Sequence, residues 1–248
     1  MKEHNMNKLT AVRHNMLNEA SYTMSLNEKR LVYSALSQID PRGQSFPDEI
    51  KVFAQDFADQ WGISRDSAYT KLKSAREELR KREIRTVNLK NGEVWDINWI
   101  DSSAYQDGNG YVILCFSQKI RPYLVNLHEK FTSIRLFEIK KFSSTHTIRI
   151  FESLIQYINK NKSDREIRRG WFKVEVSDLR TMLELGNKYE KWADLKRYVI
   201  NKAISEINNK SNYIVTLPKE NIVKKGRVVH SIKLEIEYNK QPDFFKQD

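Results

Sequence analysis

The feature of this sequence that most constrains its fold is an order of elements that occurs twice. Residues 50–117 have the hydrophobic spacing of a strand, a short helix, a long helix and a strand hairpin, and residues 171–238 repeat that order. The spacing indicates the element type, because apolar side chains recur every three or four positions in a surface helix and every second position in a half-buried strand. A helical segment also precedes each copy. Such self-similarity predicts that one supersecondary unit has been duplicated.

The first unit contains the pattern of a helix, a tight turn and a second helix. The strand IKVF leads into a short helix, QDFADQW, which we expect to end at Gly62. Ser64 is the expected N-cap of a longer helix over residues 65–82.

A hairpin is expected after that longer helix. The strand-like segments IRTVNL and EVWDINWI flank the turn Asn91-Gly92, and GYVILCF follows as a further strand after a polar loop. At the other end of the unit, residues 1–16 are polar, and we expect them to be frayed.

The second unit repeats these elements with similar signals. The strand WFKVEV precedes a short helix, for which Ser177 is the expected N-cap and Gly186 the expected stop. A long helix is expected over YEKWADLKRYVINKAISEIN, residues 189–208.

Together the units predict an α+β fold, with two tandem winged-helix domains related by a pseudo-repeat. The boundary is expected near residues 140–144, which gives a first domain over residues 1–142 and a second over residues 143–248. Long linkers between domains are typically rich in Gly, Ser or Pro. The chain has only 8 Gly and 5 Pro, so we expect a short hinge between the two domains.

The charge balance indicates a polyanionic partner. Lys and Arg total 43 against 32 Asp and Glu, a formal net charge of +11, and such an excess favours nucleic acid or an acidic membrane surface. The sequence contains nothing close to the roughly 20 consecutive apolar residues of a membrane span, and its N-terminus lacks the apolar run of a secretion signal. We therefore expect a cytoplasmic protein. A membrane-surface protein is discounted because the polar faces lack large aromatic anchors.

The long helix of the second unit has the composition of a base-reading helix. Its apolar stripe leaves Arg197 and Asn201 on the outward face. Arg can donate two hydrogen bonds to guanine, Asn can pair with adenine, and a helix fits the major groove. The alternative is an ordinary solvated face. The DNA contacts predicted on this helix are Lys191, Lys196, Arg197, Tyr198 and Asn201. Lys196 lies near the apolar stripe, so we expect it to reach a phosphate.

A basic hairpin follows that helix. The segments YIVTLP and RVVHSIKLEIEY predict its strands, and the loop between them contains Lys224-Lys225-Gly226-Arg227. We predict that Lys224, Lys225 and Arg227 bind phosphates or enter the minor groove. The alternative is that Gly226 serves the turn and the charges have no partner.

The long helix of the first unit is also basic. Its outward face mixes cations with Glu77 and Glu78, a pattern that favours phosphate positioning over base reading. The contacts predicted on this helix are Lys73, Arg76, Arg80 and Lys81.

Catalysis is poorly supported by the sequence. The G-x-x-x-x-G-K-[ST] loop of nucleotide-binding ATPases is missing, and the five His residues never occur as a close metal-binding pair. Tyr22, Tyr69 and Tyr198 lack neighbours that would activate a DNA-linking nucleophile. We expect neither enzymatic activity nor a metal or other cofactor.

Several segments resemble the plasmid replication initiators that bind iterons, which are short direct repeats at plasmid origins. The segments are LNEASYTMSLNEKRLVYSALSQI, FTSIRLFEIKKFSSTHTIRIFESLIQY, WADLKRYVINKAISEIN and KKGRVVHSIKLEI. The resemblance runs from about residue 17 to residue 238 and implies two winged-helix domains. It also implies a monomer that binds origin iterons to start replication, and a dimer that binds an inverted repeat in its own promoter and represses transcription. The implied partners are duplex DNA, a second copy of the chain, the host initiator DnaA, the replicative helicase and host chaperones.

The same resemblance assigns roles to residues. The family's base-reading helix corresponds to residues 189–209, and its arginine cluster falls on Lys196, Arg197 and Tyr198. Only Arg197 keeps the Arg identity, which leaves the base preference open because Lys and Tyr do not read bases as Arg does. The family's first domain serves both DNA contact and dimerisation, so the strands around 97–100 and 111–116 are candidates for a partner interface.

Two other classes of protein share part of this evidence. A winged-helix transcriptional regulator without a replication role would use the same DNA chemistry, and a nicking or priming enzyme would also act at an origin. Direct repeats beside the gene would favour initiation, whereas metal-dependent strand cleavage would favour the enzyme.

Overall fold

The structure is a computed structural model that describes residues 10–14, 22–40, 43, 45–87, 92–105, 108, 110–124, 131–160 and 169–239. The α+β fold and the two winged-helix domains predicted from the repeat are confirmed. In each domain a helix precedes a strand, two further helices and a hairpin. Asn91, the first residue of the predicted Asn91-Gly92 turn, lies outside the described residues.

The first domain follows the predicted order of elements. They are β1 (Thr10–His14), α1 (Leu26–Leu36), β2 (Ile50–Phe53), α2 (Ala54–Trp61), α3 (Arg65–Leu79), β3 (Glu83–Val87), β4 (Val94–Asn98), β5 (Ile100–Tyr105), β6 (Tyr111–Phe116) and β7 (Phe131–Arg135). Strand β6 lies between β2 and β5 in an antiparallel sheet, and β3 pairs with β4. Helix α3 packs against α1 and α2 through the predicted stripe. The buried residues of that stripe are Ala68, Leu72, Ala75 and Leu79.

Short-range signals set several helix ends. Ser25 begins α1 with a capping box, in which Glu28 N donates to Ser25 Oγ at 3.3 Å and Ser25 N donates to Glu28 Oε2 at 2.6 Å. Gly62 ends α2 as predicted, with a φ of 63°. Ser64 occupies the predicted N-cap of α3, but its hydroxyl contacts Ser67 Oγ at 2.9 Å and does not cap the helix backbone.

Two expectations for the first domain are wrong. Residues 10–14 were expected to be frayed, yet they form β1, which pairs with β7 and buries Ala11 to 2% exposure. The loop expected before β6 contains β5, whose exposed Asp101 and Ser102 lie on a strand that pairs with β6. In both places a neighbouring strand of the sheet supplies backbone hydrogen bonds, so polar side chains alone did not indicate the conformation.

The short helix α4 (Leu136–Ile139) follows β7 and lies before the predicted boundary. The elements beyond the boundary are α5 (Thr145–Lys160), β8 (Arg169–Glu175), α6 (Val176–Met182), α7 (192–210), β9 (Tyr213–Thr216), β10 (Ile222–Lys225) and β11 (Val228–Tyr238). Helix α7 has an α-helical start, Trp192–Leu195, then a π-helical segment, Lys196–Ile200, and an α-helical remainder, Asn201–Lys210. Strand β11 pairs with β8 along one edge and with β9 and β10 along the other.

The start of α6 differs from the expectation. Glu175 is its N-cap, so Ser177 lies inside the helix and does not cap it. Strand β8 runs directly into α6, and a helix that begins without an intervening loop leaves no position for a separate capping residue. Gly186 lies beyond the end of α6 in a turn, with a φ of 51°.

The two domains share a continuous apolar core. Phe142 is fully buried before α5, and its ring centroid lies 5.4 Å from that of Phe151. Helix α5 contacts β7 as well as β8. The division into residues 1–142 and 143–248 stays a prediction.

Candidate DNA-binding surface

Helix α7 has a buried face and an exposed face. The predicted stripe is buried from its second residue onward, with Leu195, Val199, Ala203 and Ile207 each 2% exposed or less, whereas its first residue, Trp192, is half-buried. Arg197, Tyr198 and Asn201 are exposed on the other side, and Lys191 is exposed at the N-cap. Lys196 is half-buried beside the stripe. The helix therefore brings the predicted base-reading side chains to one accessible surface.

Part of this exposed face lies in a π-helical segment that the sequence did not indicate. Asn201 N donates to Lys196 O, five residues earlier, where an α-helix would use the residue four positions back. The segment contains Arg197 and Tyr198, and the guanidinium Cζ lies 5.2 Å from the tyrosine ring centroid. Tyr198 is 48% exposed. A cation and a flat aromatic surface thus adjoin each other at the point where the helix is locally wider.

The turn before α7 also differs from the expectation. The helix was predicted to begin at Tyr189, but it begins at Trp192. Tyr189 has a φ of 54°, a left-handed conformation that cannot start a right-handed helix. Its ring centroid lies 6.0 Å from that of Tyr198. The turn therefore places a second aromatic ring beside the exposed face of α7.

The C-terminal part of α7 is held by two polar side chains. Asn208 Nδ2 donates to Val215 O at 3.0 Å, and Val215 N donates to Asn208 Oδ1 at 2.7 Å, which joins α7 to β9. Glu206 Oε1 accepts from Ser143 N at 2.7 Å, from Ser143 Oγ at 2.8 Å and from Lys210 Nζ at 2.8 Å. Burial raises the pKa of Glu206, but hydrogen bonds outweigh this effect and lower the pKa to about 2. The carboxylate thus ties α7 to the start of α5.

The hairpin β10–β11, which we call the wing, carries the three cations that the sequence placed in its connecting loop. Their positions differ slightly from that expectation. Lys224 and Lys225 belong to β10, where they oppose Val229 and Val228, and a turn at Gly226 and Arg227 joins the strands. The expectation that all three cations lie in a loop is wrong for the two lysines. Pairing continues to the turn because a two-residue connection matches the twist of a hairpin. The side chains of Lys224, Lys225 and Arg227 are exposed.

Helix α3 of the first domain offers fewer exposed cations than the sequence indicated. Arg80 and Lys81 are exposed, and Lys81 Nζ lies 2.9 Å from Glu78 Oε1. Lys73 is half-buried, with Nζ 4.3 Å from the Tyr105 ring centroid. Arg76 is 6% exposed.

Arg76 is buried against neighbouring side chains, so the DNA contact predicted for it is not supported by its exposure and stays a prediction. Its Cζ lies 4.4 Å from the Tyr105 ring centroid, and Nη2 lies 3.1 Å from Glu77 Oε1. Arg76 borders the apolar stripe of α3, and the ring that covers it comes from β5, a strand that the sequence did not indicate. That missed strand explains why the sequence did not indicate the burial of Arg76.

The strands suggested for a partner interface are mostly buried. Residues 111–116 form β6, which pairs along both edges, and Val112, Leu114 and Phe116 are fully buried. The alternate residues of β6, Tyr111, Ile113 and Cys115, are only half-buried, so a role of this strand in a partner interface stays a prediction. On β4, Ile97 is 8% exposed, whereas Val94 and Trp95 are 60% and 41% exposed.

Two features are absent among the described residues. Within them, three or more His, Cys, Asp or Glu side chains never come together in a way that could hold a metal ion. Also within them, the helices are too short or too polar to cross a membrane.

The fold and this surface define a DNA-binding protein with tandem winged-helix domains. A family model described as "Initiator Replication protein, WH1" matches residues 10–155, and one described as "Initiator Rep protein, WH2" matches residues 175–236. The chain belongs to this family of replication initiators. The resemblance to the iteron-binding initiators is thereby confirmed.

Relatives of similar length support the same family. The chain is 32% identical over 266 residues to the PI protein of Escherichia coli, a match that covers 93% of this chain and 83% of the relative. It is 25% identical over 243 residues to a replication initiation protein of Escherichia coli, covering 96% of this chain and 72% of the relative. Among solved structures, the Pi initiator protein in complex with iteron DNA matches with a TM-score of 0.80 and 26% identity, over 95% of this chain and 99% of that chain.

Proposed function

We propose that this chain initiates plasmid replication by binding iterons in double-stranded DNA, with α7 in the major groove. The observation that carries the proposal is the exposed face with Arg197, Tyr198 and Asn201, on a helix whose opposite stripe is buried. The Pi initiator, whose solved structure contains iteron DNA, resembles this chain over both domains. A helix exposed in this way is free to enter a groove, whereas a helix covered by other elements is not.

The residues of α7 take different roles in this proposal. Arg197 donates two hydrogen bonds to a guanine edge, and Asn201 pairs with an adenine. The ring of Tyr198 lies beside the guanidinium and offers apolar contact to a base or a sugar. Lys191 and Lys196 bind phosphates, because a Lys ammonium is a point charge without the geometry of a fork.

The other basic groups set affinity and register. Lys224, Lys225 and Arg227 at the tip of the wing bind phosphates beside the groove that α7 occupies. In the first domain, Arg80 and Lys81 bind phosphates of a neighbouring segment, and Lys73 contributes only if it leaves the Tyr105 ring. Contacts of this kind favour every duplex equally, so specificity depends on α7.

The family also suggests how binding leads to replication. Monomers on adjacent iterons would bend the origin and strain an A·T-rich neighbour. The host initiator DnaA and the replicative helicase would then act on the opened duplex, so the chain itself needs no enzymatic activity. We propose in addition that a dimer binds an inverted repeat at its own promoter and represses transcription, with host chaperones assisting the change to monomers. A protein that acts on plasmid DNA in this way works in the bacterial cytoplasm.

The proposal is tested with labelled duplexes from the DNA that flanks the gene. Binding is measured at two salt concentrations with random competitor, on the intact repeats and on repeats with one base pair changed at a time. We expect competitor-resistant binding to an array of direct repeats. Binding that disappears equally from all sequences would leave only nonspecific affinity.

A second experiment separates initiation from regulation alone. A plasmid that carries the repeat array and an A·T-rich segment, but no other origin, is introduced into cells that supply this chain. Replication of the plasmid supports the initiator. Specific binding and promoter repression without replication would instead identify a transcriptional regulator.

A further inference from the structure

One arginine holds the turn that joins α6 to α7. Arg180 Nη1 donates to Tyr189 O at 2.6 Å, and Nη2 donates to Gly186 O at 2.6 Å and to Lys188 O at 2.8 Å. One planar guanidinium therefore satisfies carbonyls across the connection that separates the two helices of the helix-turn-helix. Charged donors make stronger hydrogen bonds than neutral ones, and the fixed fork of Arg gives them a defined direction.

The same turn contains unfavourable backbone conformations. Among the described residues, the non-glycine residues with positive φ are Glu184, at 52°, and Tyr189, at 54°. Both lie between α6 and α7. Such conformations persist only where surrounding contacts impose them, and for Tyr189 the contact is the Arg180 hydrogen bond to its own carbonyl.

Contacts continue from the turn to the base-reading face. The Tyr189 ring centroid lies 6.0 Å from that of Tyr198, at an interplanar angle of 32°. The Arg197 Cζ lies 5.2 Å from the Tyr198 ring centroid. The order Arg180, Tyr189, Tyr198 and Arg197 is thus an unbroken series of contacts from α6 to the guanidinium that is available to a base.

We propose that Arg180 is a positioning residue that determines the sequence specificity of this chain. It holds the turn so that Tyr189 supports Tyr198, and Tyr198 in turn orients the Arg197 guanidinium before DNA arrives. Two-point recognition of guanine depends on the direction of the guanidinium, whereas phosphate contacts depend mainly on charge. Loss of the Arg180 hydrogen bonds should therefore reduce discrimination between sequences more than it reduces binding to DNA in general. This inference rests on the proposed reading role of α7.

The first test compares Arg180→Lys with Arg169→Lys. Lys keeps the charge but cannot span the three carbonyls, while Arg169 lies on β8 in an exposed ion pair with Glu237, at 3.1 Å. For Arg180→Lys we expect the ratio of iteron binding to random-duplex binding to fall by about tenfold or more, the loss that follows from one failed base contact. Binding to random duplex, and the slope of log K against log salt, should stay unchanged. The Arg169→Lys variant should keep the parent ratio.

The second test changes the turn from the other end. Tyr189→Gly accepts the positive φ without strain, so the turn persists while the ring is lost. Tyr189→Phe keeps the ring and loses only the hydroxyl. We expect Tyr189→Gly to reduce the binding ratio as Arg180→Lys does, and Tyr189→Phe to keep it. Thermal unfolding of each variant identifies any that fail to fold.

The outcomes separate the inference from the proposed function. A ratio within about twofold of the parent in both Arg180→Lys and Tyr189→Gly would overturn the positioning role. Equal losses on iteron and random duplex would also overturn it, because Arg180 would then be a phosphate contact. A parent chain that does not distinguish its repeats from random duplex would instead overturn the proposed function.

Discussion

Lys29 on α1 and Glu152 on α5 form an ion pair, with Nζ 3.1 Å from Oε1 and side-chain exposures of 3% and 0%. The Tyr33 hydroxyl also donates to Glu152, and Lys29 Nζ donates to the Tyr22 hydroxyl at 3.4 Å. Transfer of a charged side chain from water into the protein interior costs free energy. Only a well-placed partner of opposite charge offsets that cost, so a buried charge needs its partner. The pair therefore links α1 to α5 and fixes how these two helices pack against each other.

Removal of this cation should destabilise the protein strongly. In Lys29→Met the Glu152 carboxylate remains buried without its positive partner, so the free energy of unfolding should fall by about 3–5 kcal/mol. Urea unfolding followed by circular dichroism measures the change. The double variant Lys29→Met with Glu152→Gln should recover part of the loss. Lys141→Met, at an exposed site, serves as the control and should change stability by only about 0.5 kcal/mol or less. Equal effects of Lys29→Met and Lys141→Met would show that the pair contributes nothing.

Glu206 should give the stability a defined acid dependence. Its pKa is lowered to about 2 from the ordinary value of 4.5, so the unfolded state binds more protons than the folded state between these two values. The contribution is therefore fully present above about pH 4.5 and is lost as the pH falls towards 2. A shift of this size corresponds to roughly 3 kcal/mol.

The measurement for Glu206 is the unfolding free energy of the parent and of Glu206→Gln from pH 6 down to pH 3. The advantage of the parent should shrink steadily below about pH 4.5. Glu220→Gln, at an exposed position, should retain the parent's pH dependence. A constant difference between the parent and Glu206→Gln across this range would mean that the carboxylate is not stabilised as described.

Arg197→Ala should weaken specific binding and relax one base position. The expected loss is about 1–3 kcal/mol, because one two-point contact with a base disappears. Competition with repeats that each carry one changed base pair identifies the position that Arg197 reads. Asn209→Ala, near the far end of the same helix and exposed, should keep affinity and preference. If affinity and base preference are both retained in Arg197→Ala, this residue is not on the reading face.

Neutralising the wing should affect all duplexes alike. Replacement of Lys224, Lys225 and Arg227 by Gln removes three exposed cations. If each contacts a phosphate, the slope of log K against log salt should become shallower by about 0.9 per contact. Lys173→Gln, exposed on β8 away from the wing turn, provides the control. An unchanged slope in the triple variant would place the wing away from the DNA.

Arg76, on α3, and Arg80, the residue that ends α3, should behave differently although they lie four positions apart. Arg80 is exposed, so Arg80→Gln should weaken binding to every duplex and leave stability almost unchanged. Arg76 is buried against Tyr105, so Arg76→Gln should lower the unfolding temperature and leave the affinity of the folded protein unchanged. Thermal unfolding and duplex titration of both variants test this difference. If Arg76→Gln weakens DNA binding without lowering the unfolding temperature, the structural role given to Arg76 is wrong.

Much of the fold was predictable because it depends on spacing within short segments. The stripes of α3 and α7 follow from apolar residues three or four positions apart, and both are buried as predicted. The capacity of Arg197 and Asn201 to face solvent follows from the same periodicity. The π-helical segment was not predictable, since nothing in its residue types distinguishes it from an ordinary helical turn.

By itself the sequence determined the repeated order of elements, the α+β class and the basic faces, because local spacing and charge decide these. Only the tertiary structure decided that residues 10–14 pair with β7, that Tyr105 covers Arg76, and that Lys29 meets Glu152. Each of these contacts joins positions far apart in the chain. Their energies depend on burial and on the direction of approach, which exist only after the elements have packed together.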